Sequence, residues 1–358
     1  MVDTTDAVFA FVAAALITWA LVPVAEKLAR RVGAIDEPGP RSQHTVSTPR
    51  MSGIAILIGI QVAGWIWLPH NTETSSILLG AVAITLVGAL DDVFDLPAMV
   101  KLLGQIAAAV IPVAGGVHPD VLTIPFVGGF ELGWTAWPLT VLGIVAVVNV
   151  INLIDGIDGL AAGVCFIAAT AMAAIALSLD RTEAGILAAL TAGGALGFLR
   201  HGFPPATSFM GDAGSNLLGY MIAVASIQGA LKTNAVVALA FPLVILAVPI
   251  LDTAFVVAKR IKYKQPIYQA DRWHFHHRMA NLGFSQRRTL AYLYGWTLVL
   301  ALLALALRFV PYSDNRGNFD PAWTALMVAV IVAAVAVTVY LVIVLEIVKL
   351  RRTGDDRV

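Results

Sequence analysis

Cysteine is almost absent from this chain. Cys165 is the single example in 358 residues, which excludes a disulfide framework and any four-cysteine metal site. Charge is scarce as well. Only 13% of residues are Asp, Glu, Lys or Arg, against roughly 25% in an ordinary soluble domain. Hydrophobic residues make up 59% and arrive in long uninterrupted blocks. A soluble core does not account for that combination, whereas a polytopic membrane protein does. The 23 basic and 23 acidic residues cancel, which argues against a general nucleic-acid binder. The sequence also lacks a linker, a low-complexity run and a convincing internal repeat, so residues 1–358 read as one integral membrane domain. The start, with Asp3 and Asp6 and no basic n-region, does not resemble a cleaved signal peptide.

Eleven apolar spans are read at about 7–25, 52–69, 76–90, 100–114, 135–150, 160–178, 184–199, 214–231, 235–258, 289–309 and 322–348. Each is near the roughly 20 residues a helix needs to cross hydrocarbon. The expected fold class is therefore an all-α polytopic membrane protein. The fifth span opens at Trp134 and Trp137, where an interfacial aromatic belt is expected. The ninth contains Pro242, Pro249 and Asp252 and is expected to be bent or broken, because proline removes a donor and clashes with the preceding turn. Segment 115–134 alternates apolar and small residues around Gly128-Gly129, as a β-hairpin does. With this span count, 19 of the 23 basic residues fall on one side and 4 (Arg181, Lys232, Arg308 and Arg316) on the other. The positive-inside rule makes the first side cytoplasmic, with the N-terminus outside and the C-terminus inside. The expected location is the bacterial plasma membrane, with the chemistry on its cytoplasmic face.

That face collects the unusual polar strings. ALDDVFDLPAMVKLLGQ carries Asp91, Asp92, Asp95 and Lys101. NVINLIDGIDGLAAG carries Asn149, Asn152, Asp155 and Asp158. FPPATSFMGDAGSNLLG carries Phe209 and Asp212. QADRWHFHHRMANLGFSQRR carries His274, His276, His277 and Arg278. Six carboxylates at a membrane boundary repel one another unless cations or protons offset them. A hard divalent cation such as Mg²⁺, held by one or two carboxylates plus phosphate oxygens, is the natural counter-ion. Imidazoles and arginines suit the remaining phosphate charge. Glycines 156, 159, 211 and 214 permit close backbone approach to a ligand, and helices starting near Gly159 and Gly214 present amide donors to phosphate. The set points to metal-assisted phosphoryl transfer. Blander readings stand beside it. Asp91 and Asp92 suit a solvated helix end, the DGIDG string suits a turn, and Asp212 suits a helix cap. The histidines also admit zinc, but no cysteine or i, i+4 histidine pair accompanies them. Asp252, inside a span, is functional or paired by default, with Lys259 or Arg260 as candidate partners.

These strings, in this order and across essentially the whole chain, resemble the polyprenyl-phosphate N-acetylhexosamine-1-phosphate transferases. The first cytoplasmic loop, IDEPGPRSQHTVSTPRMSG, adds to the likeness. The histidine loop resembles the GlcNAc-1-phosphate branch more than the MurNAc-pentapeptide branch. The resemblance implies transfer of GlcNAc-1-phosphate from UDP-GlcNAc to a membrane polyprenyl phosphate, releasing UMP. UDP-MurNAc-pentapeptide or another UDP-N-acetylhexosamine is the alternative donor. It also implies a Mg²⁺ cofactor, with Mn²⁺ as substitute. Membrane lipid is a partner, nucleic acid is not, and a homodimer is left open. By the same resemblance Asp212 is the principal Mg²⁺ ligand, and Asp91 and Asp92 act on the lipid phosphate. Asn152, Asp155, Asp158 and Phe209 line the nucleotide pocket. His274, His276, His277 and Arg278 contact phosphate or sugar. Three positions depart from the family pattern: Ser52 and Gly202 replace a usual glycine and asparagine, and Ser42 a usual basic residue. Two mechanisms fit. In one the lipid phosphate attacks directly, which is favoured because a phosphate monoester's second pKa is near 6. In the other Asp91 or Asp92 forms a covalent intermediate. Rival classes are a membrane transporter, supported by Asp252 and the proline-broken span, and a silent scaffold.

Overall fold

The computed structural model describes residues 4–37, 47–124, 128–230, 244–262, 275–312 and 319–344. The chain is a helical assembly. In order, α1 is Thr4–Val32, α2 Gly53–Trp67, α3 Thr72–Phe94, α4 Ala98–Ala114, α5 Ala136–Ile154 and α6 Leu160–Ser178. They are followed by α7 Thr182–Gly202, α8 Gly211–Ala230, α9 Ala247–Lys262, α10 Phe275–Asn281, α11 Gln286–Phe309 and α12 Pro321–Val344. Seven of these (α1, α3, α5, α6, α7, α11 and α12) are long and apolar enough to cross a membrane, among the described residues. α2 and α4 are apolar but shorter, at 15 and 17 residues. Helices α1 to α9, α11 and α12 overlap the spans read from hydropathy, with residue 231 of the eighth span, 235–243 of the ninth and 345–348 of the eleventh outside the described residues.

Small residues set the packing. α6 and α7 are rich in alanine and glycine and lie at the centre, mostly buried, while α12 is mostly exposed. Gly193 and Gly197 of α7 face α1 so closely that a Cβ on either would lie 2.3 Å from a carbonyl oxygen, of Phe11 or Ala15. Close approach of this kind replaces hydrophobic driving force between helices in lipid. Large apolar residues such as Phe9, Trp19, Leu86 and Trp134 remain on the outside, as a lipid-facing surface requires.

Two short antiparallel pairs complete the fold. β1 (Ile35–Asp36) pairs with β2 (Thr48–Pro49), and β3 (Val121–Ile124) with β4 (Gly128–Glu131). The second pair is the hairpin read from residues 115–134, with its turn outside the described residues. In the ninth span, helical residues 244–245 are separated from α9 by a turn at Leu246, three residues before Pro249. The proline ring meets the carbonyl one turn earlier, which accounts for an interruption here. Pro242 lies outside the described residues.

Candidate active site at the helix ends

The last turn of α3 carries Asp91 and Asp92. The helix stops at Asp95, whose left-handed backbone (φ 51°) reverses the chain. Asp91 fastens that reversal: its Oδ1 accepts the Leu96 amide at 2.8 Å. α4 then runs back along α3 and returns Lys101 to Asp91, with Nζ 3.0 Å from Asp91 Oδ2. The same ammonium pairs with Asp212 Oδ2 and lies 3.3 Å from Asn152 Oδ1. Asn152 donates to Asp212 Oδ1 at 3.0 Å and to Ser215 Oγ at 2.9 Å. Four helices, α3, α4, α5 and α8, thus contribute Asp91, Lys101, Asn152 and Asp212 to one network.

Asp92 is used differently. It is buried, and its two oxygens accept the amides of Asp212 at 2.9 Å and Ala213 at 3.0 Å. The first turn of a helix has amides without intrahelical acceptors. Here α3 supplies the cap for α8. The contact needs glycine on both sides. A Cβ on Gly211 (φ 67°) would lie 2.3 Å from Asp92 Oδ2, and one on Gly88 would lie 2.4 Å from the Asp212 carbonyl. Adjacent carboxylates with one sequence signature therefore have distinct surroundings: Asp91 faces a cation, and Asp92 faces backbone amides.

The loop before α8 is laced to the segment before α2. The Phe209 amide donates to Pro49 O at 2.9 Å, the Ser52 amide to Phe209 O at 3.2 Å and the Gly53 amide to Met210 O at 2.9 Å. Ser52 and Ser208 hydroxyls are 2.6 Å apart and buried. The serine that departs from the usual glycine is thereby satisfied. Asp158 Oδ2 accepts the Ala206 amide at 3.1 Å, and Arg287 donates twice to Pro204 O, so two further segments hold this loop.

A cavity of about 250 Å³ opens beside the network. Its wall includes Asp36, Asp92, Asp155, Asp158, Asp212 and Phe209. Burial, and then the negative charges of Asp212, Asp92 and Asp158, push the Asp155 carboxyl well above the usual carboxylate range. A place that holds its proton so firmly also favours a metal cation. The donors are all hard oxygens, which fits Mg²⁺ or Mn²⁺. Among the described residues no three acidic, histidine or cysteine side chains converge as a ready-made cage.

Of the sequence-expected residues, Asp92, Asp155, Asp158, Phe209 and Asp212 line this cavity. Asp91 and Asn152 join Asp212 through Lys101 and direct bonding. His274 lies outside the described residues, as do the side chains of His276 and His277. Both of the latter belong to α10. Arg278 stacks over the Phe255 ring, 5.1 Å from its centroid, and does not line the cavity. Asp252 is buried and accepts the amide of Phe275, the first residue of α10, at 2.8 Å. It thus anchors the histidine helix to α9. Sequence reasoning passed over the placement of Lys101, Ser215, Asp36 and Arg50. Lys101 carried a signal, as a lone cation within a three-carboxylate string; Asp36 carried none.

Residues 45–230 match the family described as Glycosyl transferase family 4. A protein of Bacillus subtilis (strain 168) named "Probable undecaprenyl-phosphate N-acetylglucosaminyl 1-phosphate transferase" is 38% identical, over 84% of this chain and 85% of its own length. A "Decaprenyl-phosphate N-acetylglucosaminephosphotransferase" of Mycobacterium tuberculosis (strain CDC 1551 / Oshkosh) is 34% identical, over 96% and 89%. A "Phospho-N-acetylmuramoyl-pentapeptide-transferase" of Moorella thermoacetica is 31% identical, over 84% and 98%.

Proposed function

Because the chain belongs to glycosyl transferase family 4, we propose that it transfers GlcNAc-1-phosphate from UDP-GlcNAc to a membrane polyprenyl phosphate. The products are UMP and polyprenyl-diphospho-GlcNAc, which is the first membrane step of a cell-envelope glycan. The observation that carries this reading is the carboxylate-walled cavity, whose Asp92, Asp155, Asp158 and Asp212 come from strings inside the matched region. Relatives named for N-acetylglucosamine phosphate transfer extend along most of the chain and favour GlcNAc over MurNAc-pentapeptide.

In this reading Asp212 is the principal ligand of Mg²⁺, with Asp155 close by. The ion's chemistry is to neutralise phosphate charge and lower the cost of bringing two anions together. Asp91 orients the acceptor phosphate or takes its proton, with Lys101 as local counter-charge. Asn152 and Asp92 hold Asp212, from the side chain and the backbone respectively. Asp155, Asp158 and Phe209 border the nucleotide, and His274, His276 and His277 meet phosphate or sugar, while Arg278, stacked on Phe255, steadies the histidine helix. The lipid phosphate attacks directly, without a covalent aspartyl step. The finer topology belongs to the same proposal: eleven spans, N-terminus outside, and the cavity on the cytoplasmic face of a bacterial plasma membrane.

The test is purified protein with Mg²⁺, polyprenyl phosphate and a panel of UDP-sugars, scored by UMP release. UDP-GlcNAc is expected to lead the panel. Release only with UDP-MurNAc-pentapeptide would move the chain to the other branch, and absence of UMP release from every UDP-sugar in the panel would remove the enzyme reading. Exchange of labelled UMP into UDP-GlcNAc without acceptor would replace direct attack by a covalent route.

A further inference from the structure

The cavity wall carries five carboxylates, Asp36, Asp92, Asp155, Asp158 and Asp212, and a single cationic side chain among the described residues, Arg50. A diphosphate entering such a place meets repulsion everywhere except at a bound metal and at that guanidinium. Among the described residues Arg50 forms no ion pair or side-chain hydrogen bond, its charge acts on Asp92 across the wall, and its Nε is buried without a partner. A buried donor left unmade is costly, and native structures explain most such groups by water, an ion or a ligand. The residue is also rigidly placed. Its amide donates to Ala34 O at 3.0 Å, and it bridges in parallel to Phe209. Adjacent backbones in such a bridge lie about 4.8 Å apart. The amides of Phe209 and Ser52 fasten the two segments on either side of that bridge, at 2.9 Å and 3.2 Å.

We infer that Arg50 is a binding residue for the phosphate oxygens of the nucleotide donor, held beside Phe209 so that one molecule meets both. This rests on the reading above, in which Phe209 borders the base. The ligand chemistry is a phosphate oxyanion, and two sources offer it: the donor diphosphate and the lipid phosphate. The bridge to Phe209 favours the donor. Lys101 and Asp91, proposed to serve the acceptor, are absent from this cavity's wall. Arginine suits the role because its planar fork gives two parallel donors, which lysine does not reproduce.

The experiment compares wild type, Arg50→Lys and Arg50→Ala in detergent, each checked for an unchanged melting temperature. Binding of UDP-GlcNAc, UMP and uridine is measured by calorimetry, and KM is measured for polyprenyl phosphate. Arg50→Ala is expected to weaken UDP-GlcNAc and UMP by roughly 10–100-fold, the scale of one or two charge-assisted hydrogen bonds. Uridine affinity and acceptor KM are expected to stay within about 3-fold, and Arg50→Lys to fall between. Equal losses for uridine and UMP would overturn the inference, as would a shift confined to the acceptor KM. If wild type binds UMP but turns over no UDP-GlcNAc, the sugar assignment fails while the UMP-to-uridine ratio still decides the role of Arg50. Arg50→Lys decides alone if Arg50→Ala does not fold.

Discussion

Asp92→Asn separates the two neighbouring carboxylates. In the fold Asp92 accepts two amides, those of Asp212 and Ala213, at 2.9 and 3.0 Å. Each bond is worth about 1.5–3 kcal/mol when the carboxylate is ionised. Asparagine keeps one acceptor and turns the other position into a donor facing an amide. About one bond is lost and one buried amide is orphaned, so the cost is about 2–3 kcal/mol. It falls on the first turn of α8, where Asp212 begins the helix. Asp92→Asn should therefore lower the melting temperature and raise the Mg²⁺ concentration needed for half-maximal rate, by roughly 5–13-fold if half the cost reaches Asp212. Asp212→Asn removes a full charge and should do the same to Mg²⁺. The double variant should then be less than additive, because both act on one ligand. Asp91→Asn should behave otherwise. Turnover should fall by roughly 10²–10⁴-fold if Asp91 is a general base, with Mg²⁺ dependence and UDP-GlcNAc binding near wild type. Partial rescue is expected above pH about 6, where the acceptor phosphate is ionised without help. Steady-state Mg²⁺ titrations and pH profiles read both patterns. An Asp92→Asn enzyme with wild-type melting and Mg²⁺ dependence, recovering turnover as pH rises, would refute the capping argument and return Asp92 to the acceptor.

Three further outcomes are expected. Ser52→Ala breaks the 2.6 Å contact with Ser208 and should cost about 1 kcal/mol in thermal unfolding while leaving donor KM unchanged; a changed donor KM would mean the serine itself touches ligand. Asp155 has its carboxyl held above the usual range in the fold, so its protonated form is favoured there over the unfolded chain. Its contribution is then most favourable below the ordinary carboxylate pKa of about 4 and declines as pH rises through the raised value. In metal-free buffer Asp155→Asn should flatten the loss of stability as pH rises above the ordinary carboxylate range, and an unchanged slope would count against the carboxylate cluster. Cysteines introduced at exposed Glu131 and Asn281 test orientation against a buried native Cys165: an impermeant maleimide should reach Glu131→Cys from outside intact cells and Asn281→Cys only after lysis, and the reverse pattern would invert the topology.

The sequence alone determined where helices run, because apolar length and proline act locally and need no partner to be legible. α1, α3, α6 and α11 lie where hydropathy places them, and the interruption before Pro249 lies where the ring forbids a continuous helix. It also marked four of the five carboxylates that line the cavity, since a carboxylate at a membrane boundary is costly enough to stand out in any order of residues. Division of labour within the site was decided only in three dimensions. Nothing in the string ALDDVFDL distinguishes Asp91 from Asp92; the difference arises because successive side chains on α3 point about 100° apart, one toward Lys101 on α4 and the other toward the amides opening α8. Likewise Arg50 and Phe209 are 159 positions apart, and Ser52 and Ser208 are 156. Their pairing follows from the backbone bridge between two loops, a contact that local propensity does not encode and that close packing of α2 and α3 on α8 imposes.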